Sequence, residues 1–395
     1  MTPASTVRRV LIACGGTGGH LFPGLAVARE LRARGVEVTL VVSPKEVDQR
    51  ALQGCGAEFQ VLVLPAVGCS LRRLPRFLAT TARGYGQALR HYRGWRPDAL
   101  LAMGGFTAVA PVLAGRRLGI PCFLHESNVI PGRANRWLAR VVTHGFVGFE
   151  AAASRLAAPA VTVTGTPVRP EFRQADPRAA RTALGFDATR PMLLVIGGSQ
   201  GAQGVNQWVT LSAPALAARH PDLQICHLTG TTDQEAVRKA YAAAGVPARV
   251  LPFSDRMDTL MVAATVAVSR SGASSLAEIA AVRLPSVLIP YPVAADDHQR
   301  ANARVFVAAG AARMLDPVTD GPEALVEAVG GLLADGVLRD RFRAALARLD
   351  FPGAAVRITE ELLGRDTASS ALPDRADSPP SGPEASWKRP HMEAA

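Results

Sequence analysis

The sequence predicts an α/β protein built from two doubly wound parallel-sheet domains facing each other across a cleft. Three observations carry that expectation. At 395 residues the chain can bury two separate cores. Continuous Val/Ile/Leu runs, not polar–apolar alternation, are interleaved with helical patterns, as suits strands covered on both faces. And one device occurs twice, an apolar run ending in a glycine cluster: "VLIACGGTGGHLFPG" at 10–24 and "MLLVIGGSQGAQG" at 192–204.

Taken in order, the first half reads as strands near Val7–Cys14, Val36–Val42, Ala99–Met103, Pro121–His125 and Val161–Thr164. Prolines and mixed charge then break the pattern in "GTPVRPEFRQADP" (165–177). Strands resume near Met192–Ile196, Leu223–Leu228, Arg249–Leu251, Thr265–Val268 and Ser286–Ile289. These signals place a first domain at 1–168 and a second at 169–350. "AAVRITEELLG" (354–364) reads as a helix, and the segment 351–364 is expected to return to the first domain. Residues 365–395, rich in Pro, Ser and Ala and without apolar periodicity, are expected to be a disordered tail.

Composition excludes several classes. Cys14, Cys55, Cys69, Cys122 and Cys226 are odd in number and form no CxxC pair, which argues against a disulfide framework and a structural zinc site and fits a reducing cytoplasm. The opening "MTPASTVRRVLIACGG" resembles a signal peptide, but its apolar run is short and opens into glycines. Of two long uncharged segments, 99–115 is too short to span a bilayer and contains Gly104, Gly105 and Pro111; 191–218 carries Ser199, Gln200, Gln203, Asn206 and Gln207 in its middle. Both read better as buried strands followed by loops, in a soluble or peripheral protein.

Beyond a parallel strand, a glycine lets backbone approach a phosphate, and the following helix offers unpaired N–H groups and a positive dipole end. Each glycine loop alone is equally well a tight turn; the pair, one opening each half, favours a ligand shared between domains. A nicotinamide site fits poorly. The first loop has Leu21 where GxGxxG needs its third glycine, and "VEVTLVVS" ends in Ser43 instead of an acid for a ribose diol.

The motifs "GGTGGHLFPGLAVARELRARG" (15–35), "GGFTAVAPVLAGRRLGIPCFLHESNVIPGRANRWLA" (104–139), "GGSQGA" (197–202), "SRSGASSLAEIAAVRLPSVLIPYP" (269–292) and "DDHQRANA" (296–303) resemble, in order, those of the MurG family. The likeness covers roughly residues 7–364. It implies a GT-B fold of two Rossmann-like domains, with the acceptor site in the first and UDP-GlcNAc mainly in the second. It implies an inverting transfer of GlcNAc to the 4-hydroxyl of MurNAc in undecaprenyl-pyrophosphoryl-MurNAc-pentapeptide (lipid I), giving lipid II for peptidoglycan. No cofactor and no metal are implied, and there is no DxD triplet; the adjacent Asp296 and Asp297 read as a turn. Implied partners are UDP-GlcNAc, lipid I, the anionic cytoplasmic surface of the inner membrane, where the protein would sit peripherally, and cell-wall synthesis and division proteins.

Inversion needs a base for the acceptor hydroxyl and stabilisation of the departing UDP. His20, at the end of the first glycine loop, has an intrinsic pKa near ~6.5 suited to proton abstraction; alternatively it is a helix-start residue bonding the loop. Glu126, following His125 in "HESN", could orient His20, contact acceptor or cap a helix. Thr17, Gly18 and Gly19 are candidate substrate contacts. By the resemblance, Asn128 touches the donor sugar, Ser199 the diphosphate, and Glu278 both ribose hydroxyls. Ala273, Ser274, Ser275, Leu276 and Ala277 would offer loop and helix-start amides. Gln299 would read GlcNAc hydroxyls, Arg169 the nucleotide, and Ser254 would frame the uracil through backbone atoms. Ser254 stands where some relatives carry aliphatic residues.

Between Phe59 and Pro97 the chain has no acid and seven arginines, within a net charge of +11. Leu71, Leu74, Leu78, Tyr85, Leu89 and Tyr92 recur at helical spacing, with Arg72, Arg76, Arg83 and Arg90 opposite and Pro75 near the helix start. This is either a core stripe with a solvated face or a surface for anionic lipid. No aromatic-interleaved motif accompanies the charge, so nucleic acid is not an expected partner. Other readings are a different GT-B UDP-sugar enzyme, whether lipid glycosyltransferase or UDP-GlcNAc epimerase, and, remotely, a dinucleotide oxidoreductase or a nucleic-acid-binding protein.

Overall fold

The computed structural model describes residues 7–53, 58–68, 74–173, 176–197, 202–292 and 294–364. The first lobe runs β1 (Arg9–Ala13), α1 (Gly18–Ala33), β2 (Glu37–Val42), α2 (Glu46–Gln53), β3 (Gln60–Val63), α3 (Leu74–Gly94), β4 (Ala99–Ala102), α4 (Val109–Arg117), β5 (Cys122–Glu126), α5 (Arg133–Leu138), β6 (His144–Val147), α6 (Glu150–Ala153) and β7 (Val161–Val163). Its seven strands form one parallel sheet in the order β3-β2-β1-β4-β5-β6-β7.

The second lobe runs α7 (Pro177–Ala183), β8 (Met192–Ile196), α8 (Gln203–Arg219), β9 (Gln224–Leu228), α9 (Gln234–Ala243), β10 (Ala248–Leu251), α10 (Met257–Ala263), β11 (Val266–Ser269), α11 (Ala273–Val282), β12 (Ser286–Leu288), α12 (His298–Ala308), β13 (Ala312–Met314), α13 (Pro322–Ala334) and α14 (Gly336–Leu349). Its six strands are again all parallel, in the order β10-β9-β8-β11-β12-β13. The doubly wound α/β architecture read from the sequence is the one observed.

The continuous apolar runs explain themselves in this setting. Val10 to Ala13 and Met192 to Val195 are buried on both sides because helices cover both faces of each sheet. Three strands escape the sequence reading. β3 lies at an edge and is largely exposed, β6 is interrupted by Gly145, and β13 is three residues long with an exposed Arg313 at its centre. A Cβ at Gly145 would lie 2.8 Å from the tip of the Leu156 side chain and 3.2 Å from Ala158 Cβ, so a larger residue there would have to displace Leu156.

The sheets position the site. In each, strand order reverses at one place, between β1 and β4 and between β8 and β11. Loops leaving adjacent strands at such a point diverge to opposite faces and open a crevice. The loops after β1, β4, β5 and β11 therefore meet in the space between lobes.

The chain leaves the first lobe after β7 through 164–173, with a 3₁₀ turn at Pro170–Arg173, and crosses back at α15 (Ala354–Leu362). Ile358, Leu362 and Leu363 pack in the same core as Val10, Leu25 and Leu31 of the first lobe. Arg173 clamps Asp350 through two bonds of 2.6 and 2.9 Å beside this return. The expected tail, 365–395, lies outside the described residues.

Helix α3 differs from the expected stripe. Its buried face is Phe77, Gly84, Ala88 and Tyr92, with Tyr85 and Leu89 half-buried, whereas Leu74 and Leu78 are exposed. Pro75 is in its first turn, where a missing N–H costs nothing. Leu71, Arg72 and Arg73 lie outside the described residues. Among the described residues no helix is long and apolar enough to cross a membrane.

Candidate active site

A cleft of about 1150 Å³ separates the lobes, lined by Thr17, Gly18, Gly19, His20, Glu126, Asn128 and Asn135 from the first and by Ser254, Arg270, Ala273, Ser274, Ser275, Glu278 and Gln299 from the second. Arg169, in the crossing segment, lines it too.

The first glycine loop is held from behind by an acid. Asp48, fully buried on α2, accepts from Gly16 N–H (2.7 Å), Ser43 N–H (2.9 Å) and the Ser43 hydroxyl (2.6 Å). Lys45 Nζ donates to Gly16 C=O at 3.2 Å. Gly15 packs directly on the backbone of Val42 and Ser43, leaving no room for a side chain. The acid missing from the end of β2 thus sits five residues later and holds the loop that would meet a phosphate.

His20 lies in the first turn of α1, half-buried, with Nδ1 3.2 Å from the Thr17 hydroxyl. The loop after β4 makes space for its ring. Gly104 and Gly105 have φ of 111° and 76°, and a Cβ on Gly104 would come within 3.0 Å of His20 Nε2. Burial pushes His20 down to about 4, opposed by the Asp48 carboxylate and reinforced by Lys45. At neutral pH its imidazole is uncharged and carries one free lone pair.

Glu126, at the end of β5 and 2 % exposed, is surrounded by donors. Oε1 accepts from Asn128 N–H (2.8 Å) and Nδ2 (3.0 Å), and Oε2 from Gly132 N–H (2.8 Å) and Asn135 Nδ2 (2.8 Å). Burial raises its carboxyl and these four donors lower it. Beside the three roles open to it from the sequence, orienting His20, contacting acceptor or capping a helix, the carboxylate here ties together the loop 126–135, including Gly132 N–H just before α5, and makes no hydrogen bond to His20. His125 faces away, fully buried, with Nε2 3.1 Å from Gly165 C=O and burial lowering it to about 4.

In the second lobe, α11 points its N-terminus into the cleft with Gly272 as its cap. Leu276 N–H already donates to Gly272 C=O at 2.9 Å and its side chain is in the core, so the uncommitted first-turn amides are those of Ala273, Ser274 and Ser275. Leu276 and Ala277 do not line the cleft. Glu278, one turn on, is half-buried; burial pushes it up to about 7, opposed by Arg169 and reinforced by Asp258. Arg169 lies between the Phe22 and Phe172 rings, 4.9 and 5.2 Å from their centroids, and its Nε is buried without a partner.

Ser254 Oγ accepts from Arg256 N–H at 3.1 Å, and Gln299 Oε1 from Tyr291 N–H at 3.0 Å, which leaves the Gln299 Nε2 amide for a ligand. Ser199 lies outside the described residues. Asp296 and Asp297 both adopt left-handed backbone; Asp296 pairs with Arg136 across the cleft and Asp297 with Arg300 at 3.1 Å. Sequence reading missed Asp48, Asn135, Arg270 and Asn302. Arg270 Nη1 donates to Ile289 and Pro290 C=O at 3.1 and 2.9 Å, with Tyr291 against its guanidinium. Its signal was an arginine directly after a buried strand.

The arrangement offers a neutral imidazole on one wall, and amides, arginines and a carboxylate on the other. That set can bind a nucleoside diphosphate and accept a proton from an alcohol. Known proteins agree with it. The glycosyltransferase family 28 N-terminal domain matches residues 10–147 and the family 28 C-terminal domain residues 192–344. The chain is 35 % identical over 373 residues, 93 % of itself and 97 % of the relative, to a UDP-N-acetylglucosamine–N-acetylmuramyl-(pentapeptide) pyrophosphoryl-undecaprenol N-acetylglucosamine transferase of Anaeromyxobacter sp. (strain Fw109-5). The crystal structure of Acinetobacter baumannii MurG superposes with a TM-score of 0.68 at 27 % identity, covering 90 % of this chain and 99 % of that one. A UDP-GlcNAc 2-epimerase from Neisseria meningitidis, bound to UDP-GlcNAc, shares the fold at 16 % identity (TM-score 0.69; 90 % and 100 % covered).

Proposed function

The chain belongs to the MurG family of family 28 glycosyltransferases, and from that premise we propose how its cleft moves GlcNAc from UDP-GlcNAc to lipid I to form lipid II. The observation that carries the reading is the pairing, across one cleft, of a neutral His20 with the helix-start amides and Glu278 of the second lobe, flanked by Arg169 of the crossing segment. Glu278 as carboxylate accepts from both ribose hydroxyls, and Ser254 frames the uracil. The α11 amides of Ala273 to Ser275, the loop of Ser199, and Arg169 hold the diphosphate and its growing charge as the glycosidic bond breaks. Thr17, Gly18 and Gly19 present α1's N-terminus from the opposite side. Gln299 and Asn128 contact the sugar.

His20 acts as base through Nε2 when Nδ1–H donates to Thr17 Oγ1. The muramyl 4-hydroxyl attacks the anomeric carbon, its proton passes to Nε2, and UDP leaves on the far side with inversion. A base with its pKa near 4 is always unprotonated at pH 7, at the cost of a weaker thermodynamic pull on the proton. Glu126 contributes by fixing the acceptor-side loop.

The lipid-linked acceptor brings the enzyme to a membrane surface. Leu74, Leu78, Leu113 and Trp137 are exposed on α3, α4 and α5, with Phe77 packed edge-on to Phe106 and Trp137 beneath them. Exposed Arg76, Arg83, Arg133 and Arg140 lie on the same helices or just past them. Leucines entering the interface and arginines on anionic headgroups would hold the first lobe at the cytoplasmic face; cell-wall synthesis and division proteins are the partners expected there. Transfer is tested by supplying the purified protein with UDP-GlcNAc and a lipid I analogue. Acceptor-dependent disaccharide is the expected product; UDP-ManNAc formed without acceptor would make the protein an epimerase.

A further inference from the structure

Asn302, on α12, has no exposed surface and bonds to both lobes. Its Oδ1 accepts from Val129 N–H at 3.0 Å, and its Nδ2 donates to Asn128 Oδ1 at 3.0 Å and to Ser271 C=O at 3.1 Å. Asn128 in turn donates from Nδ2 to Glu126 Oε1 at 3.0 Å.

The direction of this chain is fixed at both ends. Ser271 C=O can only accept, so Asn302 must turn its NH₂ towards it. Glu126 is met by four N–H donors, so it accepts, and Asn128 must turn its NH₂ towards Glu126 and its carbonyl towards Asn302. Neither amide can flip without setting two acceptors face to face. The chain ends one residue before Gly272, the cap of α11, and the Ser271 hydroxyl ties the same point to Gln299 C=O at 2.8 Å. One buried amide thus connects the loop shaped by Glu126 to the loop that opens α11.

We propose that Asn302 is a positioning residue that locks the Asn128 amide against the loop opening α11, so that the donor sugar meets Asn128 in its working orientation only when the two lobes are closed on each other. The proposal rests on the reading that Asn128 faces the donor sugar. Glu126 sets which way Asn128 points, and Asn302 sets where it stands relative to the nucleotide.

The test is a double-mutant cycle on transfer to a lipid I analogue, with Asn302→Ala, Asn302→Asp, Asn128→Ala and the Ala pair. Asn302→Asp keeps the side-chain volume, which preserves the test if Asn302→Ala does not fold, and it sets a carboxylate oxygen against Asn128 Oδ1. Each Asn302 variant is expected to raise KM for UDP-GlcNAc about tenfold, the scale of one buried hydrogen bond lost, while the Kd for UDP, which lacks the sugar, stays within about twofold. In the Ala pair, or in Asn302→Asp with Asn128→Ala, the second substitution should add less than about twofold. A lowered Tm with KM unchanged, or losses that multiply, would overturn the proposal. So would an Asn128→Ala enzyme with unaltered KM, which removes the donor contact on which it rests. A wild-type protein that makes no disaccharide strikes the proposed function instead, and is read from a different sample.

Discussion

Replacing Glu278 with glutamine keeps the shape of the cleft wall and removes a charge whose titration lies in the working range. Burial pushes this carboxyl up to about 7, with Arg169 pulling it down and Asp258 adding to the rise. Only the carboxylate can accept from both ribose hydroxyls without presenting a proton of its own. The fraction ionised is then ~0.9 at pH 8 and ~0.1 at pH 6, so the Kd for UDP-GlcNAc should weaken about tenfold between them. UDP-GlcNAc is the proper ligand, since its diphosphate is a diester with no titration near neutrality, and calorimetry at several pH values is the assay. Glu278→Gln should bind weakly at both pH values with a flat profile. Stability should move the other way. A carboxyl raised above its unfolded value opposes folding as pH rises past the unfolded pKa, so the unliganded variant should have a Tm above wild type, more so at pH 8 than at pH 6. A wild-type Kd that is level from pH 6 to 8, or a variant with the same slope, refutes the reasoning.

His20→Ala should lower kcat by about 10²–10⁴-fold while leaving the Kd for UDP-GlcNAc within about twofold. With His20 lowered to about 4, the wild-type rate should show no acid limb from this group near pH 6, which a pH–kcat profile checks. Asp48→Ala strips the buried partner from Gly16 N–H, Ser43 N–H and the Ser43 hydroxyl, a loss of about 3 kcal/mol or more, visible in denaturant unfolding. Leu78→Glu should weaken sedimentation with vesicles containing phosphatidylglycerol by about tenfold or more, since an inserted leucine contributes roughly 2 kcal/mol. Its activity on a short-chain, water-soluble acceptor should be retained.

What the sequence discloses follows from how far apart the interacting groups lie. β1 and β8 are buried on both faces and end in glycine, so composition alone marks them, and the loops after them were legible as a pair. β3 and β13 carry exposed positions and β6 a glycine, so no apolar run announces them. On α3, spacing grouped Leu74 and Leu78 with the core, but both are exposed while Phe77 between them is buried, and only packing distinguishes the three. Motif residues could be placed near the cleft, yet Leu276 could not be told from Ser275, because the difference is a helical bond to Gly272. Asp48 was invisible as a loop holder, being an acid on a short helix with no pattern around it. Asn302 and Asn128 stand 174 residues apart and meet only once both lobes are formed.

The account depends on a single donor being held by both lobes with its reacting carbon towards the imidazole. A crystal structure with UDP-GlcNAc bound measures this directly. It should show uracil beside Ser254, the ribose on Glu278, the diphosphate at the N-terminus of α11, and the anomeric carbon facing His20 with space for an alcohol between. A nucleotide lodged within one lobe, with the sugar turned away from His20, would contradict it.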